Sequence, residues 1–150
     1  AIPPGPHLED EPMNIETLTT LRRFVSADQI SAIQAGIRGE EGQYFRGLAL
    51  LLATTFMAMP RTYEQDGLGD QAIVHLHYFT GSQDWYITER DVEPMQHQAF
   101  GLADLFMDGG ELGYISIVEL IQNGVEIDFH WTPRTLADVR TSRASGRVAA

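Results

Sequence analysis

The sequence contains no cysteine and no lysine, and it has no apolar run of membrane-spanning length. Without Cys, disulfides, thiolate metal sites and Cys nucleophiles are excluded, and a cytoplasmic location is the expectation. The longest apolar stretch, Leu48 to Met59, is interrupted by two Thr and is shorter than the roughly 20 residues that a membrane helix requires. We therefore expect no membrane partner.

The charge is strongly acidic and unevenly distributed. The formal net charge is -11, and all ten basic residues are Arg. Before position 134 there are six Arg and twenty Asp and Glu, whereas from position 134 onward four Arg accompany only Asp138. An acidic body repels phosphate backbones, so direct DNA binding is not expected. The same charge favours binding to a basic protein surface.

The length of 150 residues fits one domain, which we place at residues 13–139. Residues 1–12 are rich in Pro and show no periodicity, and they are interpreted as a flexible leader, either a remnant of cloning or a genuine disordered arm. Residues 140–150, with three Arg, are predicted to be a flexible basic tail.

Helical spacing dominates the first third of the chain. Apolar residues between Ile15 and Val25 recur at steps of three and four, and SADQ at 26–29 predicts a capping box that starts a second helix. A third, apolar helix is predicted from Tyr44 to Met59, where Pro60 ends it. The aromatic side chains of this helix are interpreted as core residues. Homodimerisation through these helices is compatible with the pattern.

The second half of the chain alternates apolar and polar residues, as strands do. AIVHLHYF at 72–79 and DWYITERD at 84–91 predict a hairpin with Gly81 in its turn. Further strands are predicted at 98–106 and at ELGY, residues 111–114, with two glycines of a DGG turn between them.

The last elements follow from capping signals and a final alternating run. Ser116 and Glu119 form an S-x-x-E capping box that predicts a short helix. VEIDFHW at 125–131 predicts a final strand, and Thr132 with Pro133 predicts the start of a last short helix. The fold class is therefore α+β, in which N-terminal helices precede a mainly antiparallel sheet with an inserted short helix.

Three stretches carry a resemblance to a known family: MPRTYEQDGLGD, LHYFTGSQDWYITERD and HQAFGLADLFMDGGELGYISIVELI. Over residues 59–122 or so, the chain resembles the uncharacterised bacterial and phage family called domain of unknown function 2958. The resemblance implies a context of plasmids, integrative elements and phages, and no chemistry. The positions that fit the family pattern are Trp85, Glu89, Gly101, Glu111, Gly113, Tyr114 and Glu119.

Carboxylates are the candidate catalytic residues, with Glu89 and Glu111 the first choice. Together with Asp104 and Glu119 they would support acid and base chemistry if two of them converged in a cleft. In the alternative interpretation Glu119 caps its helix, Glu89 lies at a strand end and Glu111 pairs with an Arg such as Arg90. The phosphate-binding glycine loops and the H-E-x-x-H and G-x-S-x-G motifs are absent from the sequence.

Two pairs of residues are candidate metal ligands. His75 and His77 are two apart on one predicted strand, as are Asp128 and His130 on another, so each pair is expected to share a face. Four such N and O ligands would suit zinc or another divalent ion. The alternative is a packed face, because apolar residues share it. No cofactor is expected. A divalent metal ion is the exception, since these two pairs of residues could bind one.

The functional hypothesis is a non-enzymatic accessory protein of a phage or mobile element that binds a host protein through its acidic surface. One version is mimicry of DNA, in which the acidic surface occupies the basic groove of a nucleic-acid-binding enzyme in counter-defence. The alternative is a small hydrolase, either metal-dependent or based on carboxylates.

Overall fold

The computed structural model describes residues 13–149, with side chains described up to residue 145, and it confirms the predicted α+β architecture. The predicted leader, residues 1–12, lies outside the described residues. No helix in the described part is both long and apolar enough to cross a membrane. The elements are α1 (Ile15–Leu21), α2 (Ala27–Ile37), α3 (Gly42–Ala58), a 3-10 turn (Gly69–Gln71), β1 (Ile73–Val74), β2 (Leu76–Thr80), β3 (Gln83–Glu89), β4 (Ala99–Asp104), β5 (Glu111–Ile115), α4 (Ile117–Gln122), β6 (Glu126–Ile127), β7 (Arg134–Thr135) and α5 (Leu136–Ala149).

The main sheet has five antiparallel strands in the order β5-β4-β3-β2-β6. The predicted hairpin is present as β2 and β3, and Gly81 in its turn has φ +54, a conformation that glycine adopts without strain. β1 and β7 form a separate antiparallel pair. Helix α4 joins β5 on one edge to β6 on the other, so it crosses the sheet.

The main sheet has a hydrophobic core on each face. The larger core lies between helices α1–α4 and one face of the sheet, the helix face, where Tyr78 and Ile87 are buried. Phe24 and Phe56 stack in this core with ring centroids 4.3 Å apart. On the opposite face, the α5 face, Leu102 packs in a smaller cluster with residues of α5. Both faces of the central strands are therefore covered.

A buried glutamine joins the helical layer to the sheet. Ser26 Oγ accepts from Gln29 N at 3.4 Å, which is one half of the predicted capping box. The Gln29 side chain does not complete the box. Its Nε2 donates to Ile127 O at 3.0 Å and its Oε1 accepts from Ile127 N at 2.8 Å. The amide therefore takes the place of a neighbouring strand beside β6.

The predicted final strand is wrong over most of its length. Only Glu126–Ile127 pairs with β2, opposite Phe79 and Tyr78. Asp128 Oδ1 accepts from His130 N at 2.9 Å, and this local turn competes with the strand ladder and ends it. An aspartate one residue beyond the pairing thus terminates the strand.

The end of the chain also differs from the prediction. Thr132 and Pro133 do not start the last helix; α5 begins after Thr135, whose Oγ1 accepts from Asp138 N at 3.1 Å. The helix continues to Ala149, and the flexibility of residues 140–150 stays a prediction. Arg143, on this helix, is 18% exposed and forms ion pairs with the sheet. These ion pairs join α5 to the sheet at Arg143.

Replacement of Gln29 by Leu tests the link between helices and sheet. The change would leave the N–H and C=O of Ile127 buried without partners, and we expect a loss of about 2–4 kcal/mol in the free energy of unfolding. Urea denaturation followed by circular dichroism measures it. Gln43→Leu on the exposed side of α3 is the matched control, expected within about 0.5 kcal/mol of the parent. Equal losses in both variants would contradict the role of Gln29.

Candidate functional site

The structure does not bring the two candidate catalytic carboxylates together. Glu89 lies opposite Phe100, which pairs on its other side with Tyr114, and Glu111 is three residues before Tyr114 on β5. Three strand steps and two interstrand spacings separate their Cα atoms by roughly 14 Å.

The surroundings of these two carboxylates also differ. Glu89 is buried, and its side chain accepts hydrogen bonds from Thr88 Oγ1 and from Gln65 N. Glu111 is exposed at the start of β5. The proposed pairing of Glu111 with Arg90 is not present, since Arg90 donates to the backbone O of Asp91 instead.

The four candidate metal ligands occupy three environments. His77 lies on the α5 face, stacked on Tyr86 at 4.7 Å between ring centroids. Its Nε2 is 2.7 Å from Asp84 Oδ1 and its Nδ1 is 3.2 Å from Asp128 Oδ2. Because both ring nitrogens face carboxylates, neither has a free lone pair aimed at open space. His77 is thus held as part of a hydrogen-bond network.

Among the described residues, the imidazole rings of His75 and His130 form no hydrogen bond to this network. His75, between β1 and β2, lines a small cavity of about 220 Å³ together with Asp128. Burial lowers the pKa of His75 below its ordinary value, which favours the neutral ring. His130 is exposed and lines a neighbouring depression. Within the described residues, no three His, Asp or Glu side chains are grouped to hold a metal ion, and metal binding stays a prediction.

An ion-pair network on the α5 face was not anticipated. Asp84 and Asp104 lie directly opposite each other on β3 and β4, where two like charges repel. Arg143 on α5 spans them, with Nε 2.7 Å from Asp104 Oδ2 and Nη1 2.8 Å from Asp84 Oδ2. The guanidinium fork thereby offsets the repulsion between the strands.

The same guanidinium also holds Tyr86. Arg143 Nη1 donates to Tyr86 Oη at 2.8 Å. Burial alone would lower the pKa of Arg143, but the hydrogen bonds to Tyr86, Asp84 and Asp104 outweigh burial and raise it above its ordinary value. Burial is the main cause that raises the pKa of Tyr86. A charged Arg and a neutral Tyr therefore persist across the physiological range, and the network is a structural one.

The helical spacing of the sequence contains a signal that Arg143 faces the sheet. Leu136, Val139 and Arg143 are spaced by three and four residues, so they share one face of α5, and the first two are buried in the small core. An Arg on the apolar face of a helix requires an acidic partner.

An open cleft lies beneath α4 on the helix face, with a volume of about 510 Å³. We call it the α4 cleft. Trp85 and Ala103 contribute from the sheet, Gln83 from the start of β3, Glu119 from α4 and Asn123 from the C-terminal end of that helix. Ser116 Oγ accepts from Glu119 N at 3.2 Å, so one half of this predicted capping box is present.

Several polar groups of the α4 cleft, unlike those of the network on the α5 face, have no partner among the described residues. The Gln83 amide, the Trp85 indole N–H and the Glu119 carboxylate have no hydrogen-bond or ion-pair partner among residues 13–145. Trp85 is half-buried, with one part packed against the large core. Concave sites with an aromatic wall and a few uncommitted polar groups are the usual form of binding sites.

The sequence contains the signal for one wall of this cleft. Ser116, Glu119 and Asn123 are spaced by three and four residues, which places them along one face of a helix. Trp85 and Glu119 are also among the positions that carry the family resemblance. Sequence reasoning assigned Ser116 and Glu119 to capping, and it missed that Glu119 offers its carboxylate to a cleft.

These elements define an α+β domain built on an antiparallel sheet with a ligand-sized cleft under its crossover helix. Residues 50–142 match the model of a family described as a protein of unknown function, DUF2958, and the chain belongs to that family because the match covers more than half of it. The predicted resemblance is confirmed and reaches into α3 and α5. No curated protein and no solved structure matches the chain.

Replacement of Arg143 by Ala tests the network on the α5 face. Asp84 and Asp104 would then face each other without a cation, and we expect a loss of about 2–4 kcal/mol in the free energy of unfolding. Arg140→Ala on the same helix is the matched control, because its ion pair with Asp70 is more exposed and should contribute at most about 1 kcal/mol. Thermal and urea unfolding give both values. Equal effects would contradict a special role for Arg143.

Proposed function

We propose that this protein acts by binding another protein through an acidic surface, not by catalysis. The observation that carries the proposal is the segment 91–133, which contains no Arg and supplies β4, β5, α4 and β6. Four exposed carboxylates of this segment lie on the elements that precede, form and follow the α4 crossover, and we call them the acidic surface. They are Asp108, Glu111, Glu119 and Glu126.

The location of these carboxylates explains why they would act together. Asp108 is in the turn before β5, and Glu111 is the first residue of that strand. Glu119 is on α4, and Glu126 begins β6. No described residue forms an ion pair with any of the four. Uncompensated charges of one sign produce a field that attracts a basic partner and steers its approach.

The partner that fits this surface is a host protein with a basic groove. A nucleic-acid-binding enzyme has such a groove, and occupation of it by carboxylates instead of phosphates would be a form of DNA mimicry. The phage and mobile-element context implied by the family resemblance gives such an activity a use in counter-defence. Homodimerisation through the N-terminal helices remains compatible with the proposal.

A hydrolase is the weaker alternative. It rests on Glu89 and Glu111, or on a metal held by the histidines. Glu89 is committed to Thr88 and Gln65, and Glu111 lies at the other end of the strands. Both ring nitrogens of His77 face carboxylates. The arrangement therefore favours binding over hydrolysis.

Affinity capture with matched charge variants tests the proposal. The parent, a triple variant Glu111→Gln, Glu119→Gln and Glu126→Gln, and a control Glu16→Gln, Glu40→Gln and Glu41→Gln are each used to capture proteins from a bacterial lysate. Both triplets are exposed and lose the same charge. We expect a protein retained at low salt and released at high salt, with retention reduced about tenfold or more in the first variant only.

Two results would contradict the proposed function. In one, no protein is retained at low salt by the parent. In the other, both triple variants retain the same protein equally well, which would mean that overall charge, and not the acidic surface, governs capture.

A further inference from the structure

The α4 cleft has the chemistry of a site for a cationic, planar group. Glu119 is the one carboxylate among its lining residues, and no Arg lines it. Glu111 lies on the same row of the sheet, since Trp85 pairs with Ala103 and Ala103 pairs with Glu111. The cleft is therefore negative. It also has an aromatic ring in its wall, and the face of an indole attracts cations.

We propose that the α4 cleft binds an arginine side chain of a protein partner, with its guanidinium between the Trp85 ring and the Glu119 carboxylate. The inference rests on the proposed function and gives the acidic surface an anchoring pocket. The uncommitted Gln83 amide and Trp85 indole N–H remain for polar contacts with the backbone of the same partner.

The unused polar groups carry this proposal. On the α5 face the groups of similar chemistry are saturated, since Asp84 accepts from both His77 and Arg143. In the α4 cleft, Ser116 and Asn123 are used by the helix, because Ser116 Oγ accepts from Glu119 N and Asn123 Nδ2 donates to Glu119 O. The Glu119 carboxylate has no such partner within the described residues. An unpaired carboxylate and an aromatic ring that line the same cleft are suited to a cationic ligand.

Arginine fits this cleft better than lysine. Its guanidinium is planar, stacks on an aromatic face and donates two parallel hydrogen bonds to a carboxylate, whereas the ammonium of lysine is compact and strongly hydrated. The volume of about 510 Å³ falls in the usual range of ligand sites, about 300–1,000 Å³. It admits the side chain together with adjacent backbone.

Titration of the full chain with N-acetyl-arginine amide tests the inference. The probe is one amino acid, so we expect a dissociation constant on the order of millimolar. The readout is the indole N–H signals of Trp85 and Trp131 in ¹H–¹⁵N spectra, assigned with Trp85→Phe. We expect a saturable shift of the Trp85 signal while the Trp131 signal stays in place.

Three comparisons sharpen this test. The citrulline counterpart, which has nearly the same shape without the charge, should bind about tenfold more weakly, and the lysine counterpart several-fold more weakly. Glu119→Gln should weaken arginine binding about fivefold or more. Glu40→Gln, an exposed residue on the helical side, should leave it unchanged. Because Glu119 is exposed, its variant is expected to fold normally.

Any of four results would overturn the pocket. The Trp85 signal shows no saturable shift, the citrulline compound shifts it equally, the lysine compound binds as tightly, or Glu119→Gln has no effect. The capture experiment separates the two proposals. If a partner depends on the acidic surface but is retained by Trp85→Phe, and arginine does not bind, the pocket fails and the proposed function stands. If arginine binds and no protein is captured, the proposed function fails.

Discussion

The arrangement of the sheet depends on one guanidinium group. Asp84 and Asp104 face each other on β3 and β4, and Arg143 offsets their repulsion because it contacts both. The same contact fixes α5 against the sheet and so covers the small core around Leu102. A polar contact thus determines where the last helix packs, and burial of apolar residues follows from it. Removal of one member of such a network leaves a charge of the same network without its partner, which is costly.

The two faces of the sheet use similar residues for different purposes. On the α5 face each polar group of the network has a partner, which suits a fixed scaffold. In the α4 cleft, on the helix face, Gln83, Trp85 and Glu119 are left without partners among the described residues. Polar groups that a protein leaves unsatisfied at a concave surface are available to another molecule. This difference, more than residue type, separates the structural cluster from the candidate binding site.

The elements governed by local spacing could be predicted from the sequence, and those governed by distant partners could not. The three N-terminal helices and the β2–β3 hairpin follow from periodicity, Pro60 and Gly81. The extent of the last strand and the start of the last helix could not be predicted from periodicity. The Asp128 turn ends the last strand, and the pairing of β7 with β1 delays the start of the last helix. The same holds for the candidate site. Helical spacing aligns Glu119 with Asn123, but only the strand register places Trp85 beneath them. The register also separates Glu89 from Glu111.

The Gln29 side chain limits where another polypeptide strand could pair with the sheet. By bonding to both the N–H and the C=O of Ile127, it occupies the hydrogen-bonding groups that β6 would otherwise present at one border of the sheet. Among the described strands of this sheet, β5 then forms the open border. A foreign strand can add to a sheet only where such groups are available. Extension of the sheet by another polypeptide is thereby directed to the side where Leu112 and Tyr114 are exposed.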